Sequence, residues 1–403
     1  MPLSVLLEKA RGLGLFQIGA LMSIYSFTII ILEVPTGGLA DAIGRKRVAI
    51  LSYTFSVLSS FIFLLAFSYP VFIFGAVISG VARALSSGSM DAWFVDSLQA
   101  VDPDIELQPA LAKAETFNLL SLGVGALLGS LLPGWFAHLP PDGTAVLTPL
   151  SIPIALSVCT GILLVILASI LVKEDLSNYH AGSWKAGLKD VPTIIRTSIK
   201  LTRTNPTIVM LLGATFSMGF AVISLESLWQ PHFAELLGGA EGNTFFFGVV
   251  MGGNFLIGML GNLLSTPLSR LFKKNYAVVA AVFRLGWGAA ILMLATQTSP
   301  YFGLAFFWLV YLNMGIMGSP HVTLLNNEIP SEHRSSMMSI ASFATYLGAT
   351  LGGAGLGYLA EQNSIPAAWQ VAGGMMLLSA GFYLRVAKIQ ANAPQPQAIT
   401  TQG

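Results

Sequence analysis

Apolar stretches of roughly 20 residues recur along almost the whole chain, each ended by a short polar break. A stretch of that length crosses about 30 Å of hydrocarbon as an α-helix, the one open-ended form that satisfies every backbone group internally. Read in order, the pattern predicts eleven spans at 13–34, 48–68, 71–96, 111–137, 149–172, 206–231, 245–268, 276–297, 301–325, 334–360 and 366–386. Two longer polar segments stand out. The first, 174–205, lies among six cations from Lys173 to Arg203 and holds Pro192 near its middle; its Ile194, Ile195 and Ile199 suit a tether lying on a membrane surface. The second, 389–403, is polar and proline-bearing without periodicity, which predicts a disordered tail.

Composition sharpens the class. Hydrophobic residues make up 54% of the chain and charged residues 10%, against about 25% charged in soluble domains. With a mean hydropathy of +0.73, the chain reads as an all-α polytopic membrane protein with the lipid bilayer as its solvent. A net charge of +1 says nothing about partners, and no nucleic acid is expected. The single cysteine, Cys159, can form no intramolecular disulfide. There is no Walker-type phosphate loop, no metal-ligand spacing and no nucleophile elbow, so neither an enzyme nor a cofactor or metal site is expected.

Charge placement orients the spans. Sixteen of the 20 Lys and Arg fall on one side, Lys9 and Arg11 on the other, and Arg83 and Arg284 within spans. The positive-inside rule then puts the richer side, with the C-terminus, in the cytoplasm and Met1 outside; the expected membrane is the plasma (inner) membrane.

That cytoplasmic side carries the most informative stretch, Gly37 to Arg47, read GGLADAIGRKR. Gly37, Gly38 and Gly44 permit the tight turn between two spans, and Arg45, Lys46 and Arg47 set three cations just outside one. Asp41 needs a partner, either a neighbouring cation or the positive end of a helix. The stretch resembles the loop signature G-x-L-A-D-x-x-G-R-K-R of the major facilitator superfamily and fills every fixed position. The resemblance implies two pseudo-symmetric helical bundles with twelve helices, a secondary transporter of a small molecule, and an inner gate in which Arg45 pairs with Asp96.

An internal repeat bears on the missing twelfth helix. Asp41 aligns with Ser269 at an offset of 228, and Leu131 to Ala137 aligns with Ala354 to Ala360 at 223. The halves therefore read as parallel repeats, and the counterpart of span 206–231 falls before residue 1, with Pro2 to Leu7 as its last turn. The expected organisation is an N-terminal bundle over 1–173, a cytoplasmic linker over 174–205, a C-terminal six-helix bundle over 206–388 and the tail, in a monomer.

Polar groups inside spans are costly, at least about 2.5–3.5 kcal/mol for a central charge, so they mark candidate chemistry. Arg83, Asp91 and Asp96 share one span; Asp91 reads either as a helix-packing ion-pair partner or as a substrate or proton-coupling carboxylate. Glu33 reads as an interfacial acid supporting the loop. Glu226 is the strongest candidate, with Trp229 and Gln230 following within about a turn of helix. A carboxyl in a low-dielectric site can change protonation during transport, and an indole beside it could hold an organic cation; alternatively, Trp229 belongs to the outer aromatic belt. Arg284 needs an acceptor, and Glu226 is a possible one. Asn254, Asn313 and His321 complete the expected lining, His321 either coupling protons or serving a structural hydrogen bond.

The function expected is proton-coupled efflux of a drug-like or amphipathic molecule by alternating access, with small-molecule substrate and protons as partners. Uptake by symport, and a receptor or scaffold that transports nothing, are the alternatives.

Overall fold

The computed structural model describes residues 2–37, 39, 43–86, 89–102, 106–140, 143–174, 205–240, 242–329 and 334–392. Among them are thirteen α-helices and no strand. They are α1 (Ser4–Ala10), α2 (Leu15–Gly37), α3 (Arg45–Leu65), α4 (Tyr69–Ser86), α5 (Ser89–Val101), α6 (Leu107–Trp135) and α7 (Ile152–Leu171), followed by α8 (Pro206–Leu236), α9 (Thr244–Leu271), α10 (Tyr276–Leu294), α11 (Pro300–Asn327), α12 (Arg334–Gln362) and α13 (Ile365–Asn392).

Local chemistry sets the helix ends. Asn205 caps α8, its Oδ1 accepting from Thr207 N at 2.9 Å, while Pro206 occupies the first turn, where a missing N–H costs nothing. Asn275 caps α10 through Val278 N at 3.1 Å. Between α8 and α9 the chain reverses through Gly238, Gly239 and Gly242, all at positive φ, a conformation that residues with a Cβ rarely adopt.

Among the described residues, ten helices are long and apolar enough to cross a membrane, one fewer than the pattern predicts. The eleventh, α12, is a 29-residue helix whose glycines and hydroxyls dilute its hydropathy. It needs little apolar surface because it packs between α2 and α8. The predicted span 71–96 is two helices, α4 and α5. The predicted tail begins too early, since α13 continues to Asn392; 393–403 and the tether over 175–204 lie outside the described residues. Leu163, Ile170, Leu171, Leu263 and Leu378 project outward, as lipid-facing side chains do.

α2, α3, α4 and α7 pack together in the first half, and α8 to α13 in the second around buried Trp287, Trp369, Phe233 and Phe307. The halves meet where α2 lies on α12 and α6 on α9, with α1 laid across α8. Close approach is built from residues without bulk. A Cβ on Gly19 would collide with Gly353 O, and one on Gly248 with Ser130 Oγ. Ser23 stitches the same contact, donating to Thr350 O at 2.6 Å and accepting from Ala354 N at 2.7 Å. These contacts lie towards the face where α2 begins, called here the far face; the loop after α2 marks the loop face.

Gly353→Leu should therefore lower the melting temperature of the purified protein, whereas Gly355→Leu, whose Cβ meets open space, should leave it unchanged. Equal melting curves for both variants would refute the close-contact account.

Candidate functional site

A cavity of about 440 Å³ lies where the halves meet, within the usual range for small-molecule sites. The first half contributes Ser4, Val5, Met22 and Tyr25; α8 contributes Ile223, Glu226, Trp229 and Gln230; α9 adds Met251, Asn254 and Phe255, and α11 adds Tyr311. Glu226 sits ten residues before the end of α8, about 15 Å from that end. Pro231 just beyond it removes the backbone donor that would bond Ser227 O, so α8 is weakened next to the site.

Glu226 is the one formally charged residue among those lining the cavity. Its Oε1 accepts from Tyr311 OH at 3.0 Å. Asn254 is buried, and its Oδ1 has no hydrogen-bond partner. Trp229 is 3% exposed and stacks at centroid distances of 5.9 Å on both Phe247 and Phe307, with Phe233 alongside. It belongs to an interior aromatic layer towards the far face, not to an outer belt. Gln230 does line the cavity, but its Oε1 accepts from Val5 N at 3.0 Å and Leu6 N at 3.2 Å, fastening α1 to α8.

The pairing of Arg284 with Glu226, one possibility read from the sequence, does not form. Arg284 is 0% exposed and points the other way, donating from Nε to Ser379 Oγ at 2.8 Å and from Nη2 to Ala214 O. Its guanidinium lies over Trp287 at 5.4 Å, and Nη1 has no partner. His321 lies nearby and half-buried, with Thr215 Oγ1 3.0 Å from Nε2 and Tyr383 OH 2.8 Å from Nδ1. Both of its ring nitrogens are thereby engaged in holding helices together, away from the cavity. Asn313 likewise bonds Leu309 O at 2.7 Å and packs against Gly286.

Arg83 bonds Tyr346 across the junction and stands within electrostatic reach of Tyr25 and Glu33 on α2 of its own half, and Tyr25 stands within electrostatic reach of both Arg83 and Glu226. Glu33 Oε1 accepts from Ser342 Oγ at 2.6 Å, so this acid bridges from α2 to α12. The backbone of Asp91 lies in α5; its side chain is outside the described residues.

At the loop face, Arg45 pairs with Asp96, as the loop signature implied. Gly44 stands at φ +97 just before α3. The first amides of α3 then meet the Glu174 carboxylate, with Arg45 N 2.8 Å from Oε1 and Lys46 N 2.9 Å from Oε2. Lys46 Nζ donates to Ser169 O at 2.8 Å, and Trp93 Nε1 to Lys173 O at 3.0 Å, which tie α3, α5 and the end of α7 into one unit. Gly37 ends α2; Asp41 lies outside the described residues.

The far face has its own bridge. Glu361 at the end of α12 accepts from Phe16 N in the first turn of α2 at 2.8 Å. Arg11, an anomaly for the charge rule, donates to Phe63 O at 2.8 Å and Ala66 O at 2.9 Å, satisfying the carbonyl end of α3. Sequence reasoning missed Tyr25 and Tyr311, ordinary tyrosines within apolar runs. It also missed Glu361 and the capping role of Glu174, whose partners are backbone amides far away in sequence. Glu8, buried on α1 with Oε2 unpartnered, was also missed.

A sequence model described as the Major Facilitator Superfamily matches residues 1–331. An uncharacterised MFS-type transporter, YxaM of Bacillus subtilis (strain 168), is 22% identical over 403 residues, spanning 100% of this chain and 95% of that protein. The bacillibactin exporter of the same organism is 23% identical over 145 residues, 35% of this chain and 36% of that protein. Among solved structures, a point mutant of the nucleoside transporter NupG superposes with a TM-score of 0.69 at 15% identity, covering 96% of this chain and 94% of that one. The xylose transporter XylE from E. coli, in a partially occluded inward-open conformation, gives 0.64 at 16% identity, covering 95% and 92%.

Glu174→Ala should cost about 1 kcal/mol of stability, the usual effect of losing a cap at a helix N-terminus. Glu106→Ala, at the start of α6 where the side chain caps nothing, should cost nothing measurable. Thermal melts of the two variants in one detergent decide this, and equal losses would remove the capping role.

Proposed function

The chain belongs to the major facilitator superfamily, and on that premise we propose that it is a proton-coupled exporter of a small amphipathic organic molecule. One observation carries the reading: a single carboxyl, Glu226, held by Tyr311, faces a cavity to which both halves contribute. A carboxyl there can take up and give up a proton as the halves rock around the cavity, which is how a proton gradient drives a second solute. Asp91 stands as a second candidate for that role, and Trp229 and Asn254 as substrate contacts; Arg83, set beside Tyr25, Tyr346 and Glu33 and not among the residues lining the cavity, is proposed to act on the site only through Tyr25. His321, Asn313 and Arg284 are assigned to holding the second bundle together.

The proposed layout keeps a bundle over 1–173 and another over 206–388, joined by the tether, and draws support from the helix packing within each half. The loop face is proposed as cytoplasmic and the membrane as the plasma membrane, from the bias of Lys and Arg to that face. Arg45, Lys46, Asp96 and Gly44, with Gly37 and Asp41, are proposed as the inner gate. Glu361 and the Gly19–Gly353 contact are proposed as the outer closure. Export is favoured over uptake by the sparsely charged cavity and by the partial likeness to a bacillibactin exporter. The chain is proposed to work as a monomer.

The test is proton movement in proteoliposomes carrying the purified protein. An added substrate should collapse an imposed pH gradient with wild-type protein, and Glu226→Gln should abolish proton movement while the protein stays folded. Unchanged proton coupling in that variant would assign the coupling elsewhere, and the sign of the pH change reads the direction.

A further inference from the structure

The lining of the cavity is lopsided in charge and in hydrogen-bonding sense. Its one formal charge is negative, at Glu226, and no lysine, arginine or histidine is among the lining residues. A carboxylate left alone in a low-dielectric cavity is costly, so the site favours either a proton on Glu226 or a cation beside it. Asn254 presents a second acceptor, its buried Oδ1 lacking a donor. The Tyr311 hydroxyl is already spent on Glu226, and Gln230 Oε1 on the α1 backbone. What the cavity lacks is N–H donors carrying positive charge. Around the acceptors stand the rings of Trp229, Tyr25, Phe255 and Tyr311, which suit a flat apolar body and whose faces attract cations.

Resting on the carrier reading above and naming its substrate class, we propose that the cavity binds a protonated primary or secondary amine with an aromatic or apolar body. The ammonium group donates one N–H to the Glu226 carboxylate and another to Asn254 Oδ1. When Glu226 is protonated the cavity is neutral. When the ammonium enters, the Glu226 O–H proton leaves to bulk water, and the carboxylate and ammonium again sum to zero. One proton is thus released for each amine bound. A carboxylate ligand meets repulsion at an ionised Glu226, and a neutral alcohol displaces no proton and gains no ion pair.

The experiment uses the full chain in nanodiscs with four probes of one shape: phenylpropylamine, its trimethylammonium analogue, phenylpropanol and phenylpropanoate. Calorimetry reads affinity and an indicator dye reads proton release. The amine should bind with about one proton released, the trimethylammonium analogue at least about tenfold more weakly for want of an N–H, and the alcohol and carboxylate not measurably. Asn254→Leu should narrow the gap between the amine and its trimethylammonium analogue, and Glu226→Gln should weaken the amine at least about tenfold. Should Glu226→Gln not fold, the probe series on the wild-type protein still decides the charge class. Binding of the alcohol or the carboxylate as tightly as the amine overturns the proposal. Selective amine binding without proton release supports the ligand class and overturns the proton-coupled reading. Proton-coupled flux of a neutral or anionic solute without amine binding overturns the ligand class and leaves the carrier reading standing.

Discussion

Every helix that enters a bilayer leaves amides unpaired at one end and carbonyls at the other, and the structure depends on where partners for them are found. Three of these ends are met by charged side chains from distant parts of the chain. Glu174 closes the amide end of α3, Arg11 its carbonyl end, and Glu361 the amide end of α2. In each case the sign of the charge opposes that of the helix end it meets. The result is more than satisfied backbone. Glu174 joins the end of α7 to the loop face of α3, and Arg11 ties the segment after α1 to its far end. Glu361, by contrast, crosses from one half of the molecule to the other, so its bond must break whenever the far face opens.

The second constraint is the distance between the halves. Small residues let α2 settle on α12 and α6 on α9 at backbone range, and the cavity lies beside these contacts. This bears on why α12 is poor in hydropathy: the side of it that meets α2 and α8 needs smoothness, which Gly348, Gly352, Gly353 and Gly357 supply, while Phe343, Leu347 and Leu351 on its other side project outward. The aromatic layer of Trp229, Phe233, Phe247 and Phe307 then fills the space towards the far face with side chains that need no hydrogen bonds beyond one indole N–H.

Much of the fold was legible because hydrophobic length is a one-dimensional signal, and eleven stretches announced nearly all of the long helices. The loop signature was legible for the same reason, being contiguous. The site was legible only in part. Glu226 and Trp229 announced themselves as a charge and an indole inside an apolar run, and Asn254 as an amide in one. Tyr311 and Tyr25 carried no such contrast, and their importance arises from which helices face each other. The same limit misled the pairing of Arg284 with Glu226. Both are charges within apolar runs of one half, and sequence order does not tell which way a helix is turned. α10 presents Arg284 to α8 and α13, whereas α8 presents Glu226 to the cavity.

That difference in facing separates a structural charge from a working one. An arginine holds its proton at every accessible pH and here is sealed among Ser379, the Ala214 carbonyl and aromatic rings, so it has neither a second state nor a path to water. Its contribution is to lock α8, α10 and α13 at one spacing, with His321 adding a second tie through Thr215 and Tyr383. A carboxyl has two states separated by one proton, and Glu226 lines the cavity, which is what the proposed exchange of a proton for a cation requires. The rigid second bundle and the exchangeable group within it are therefore complementary. In the proposed cycle the fixed tie at Arg284 holds α8, α10 and α13 together while Glu226, on the cavity side of α8, changes its protonation beside α1 and α2.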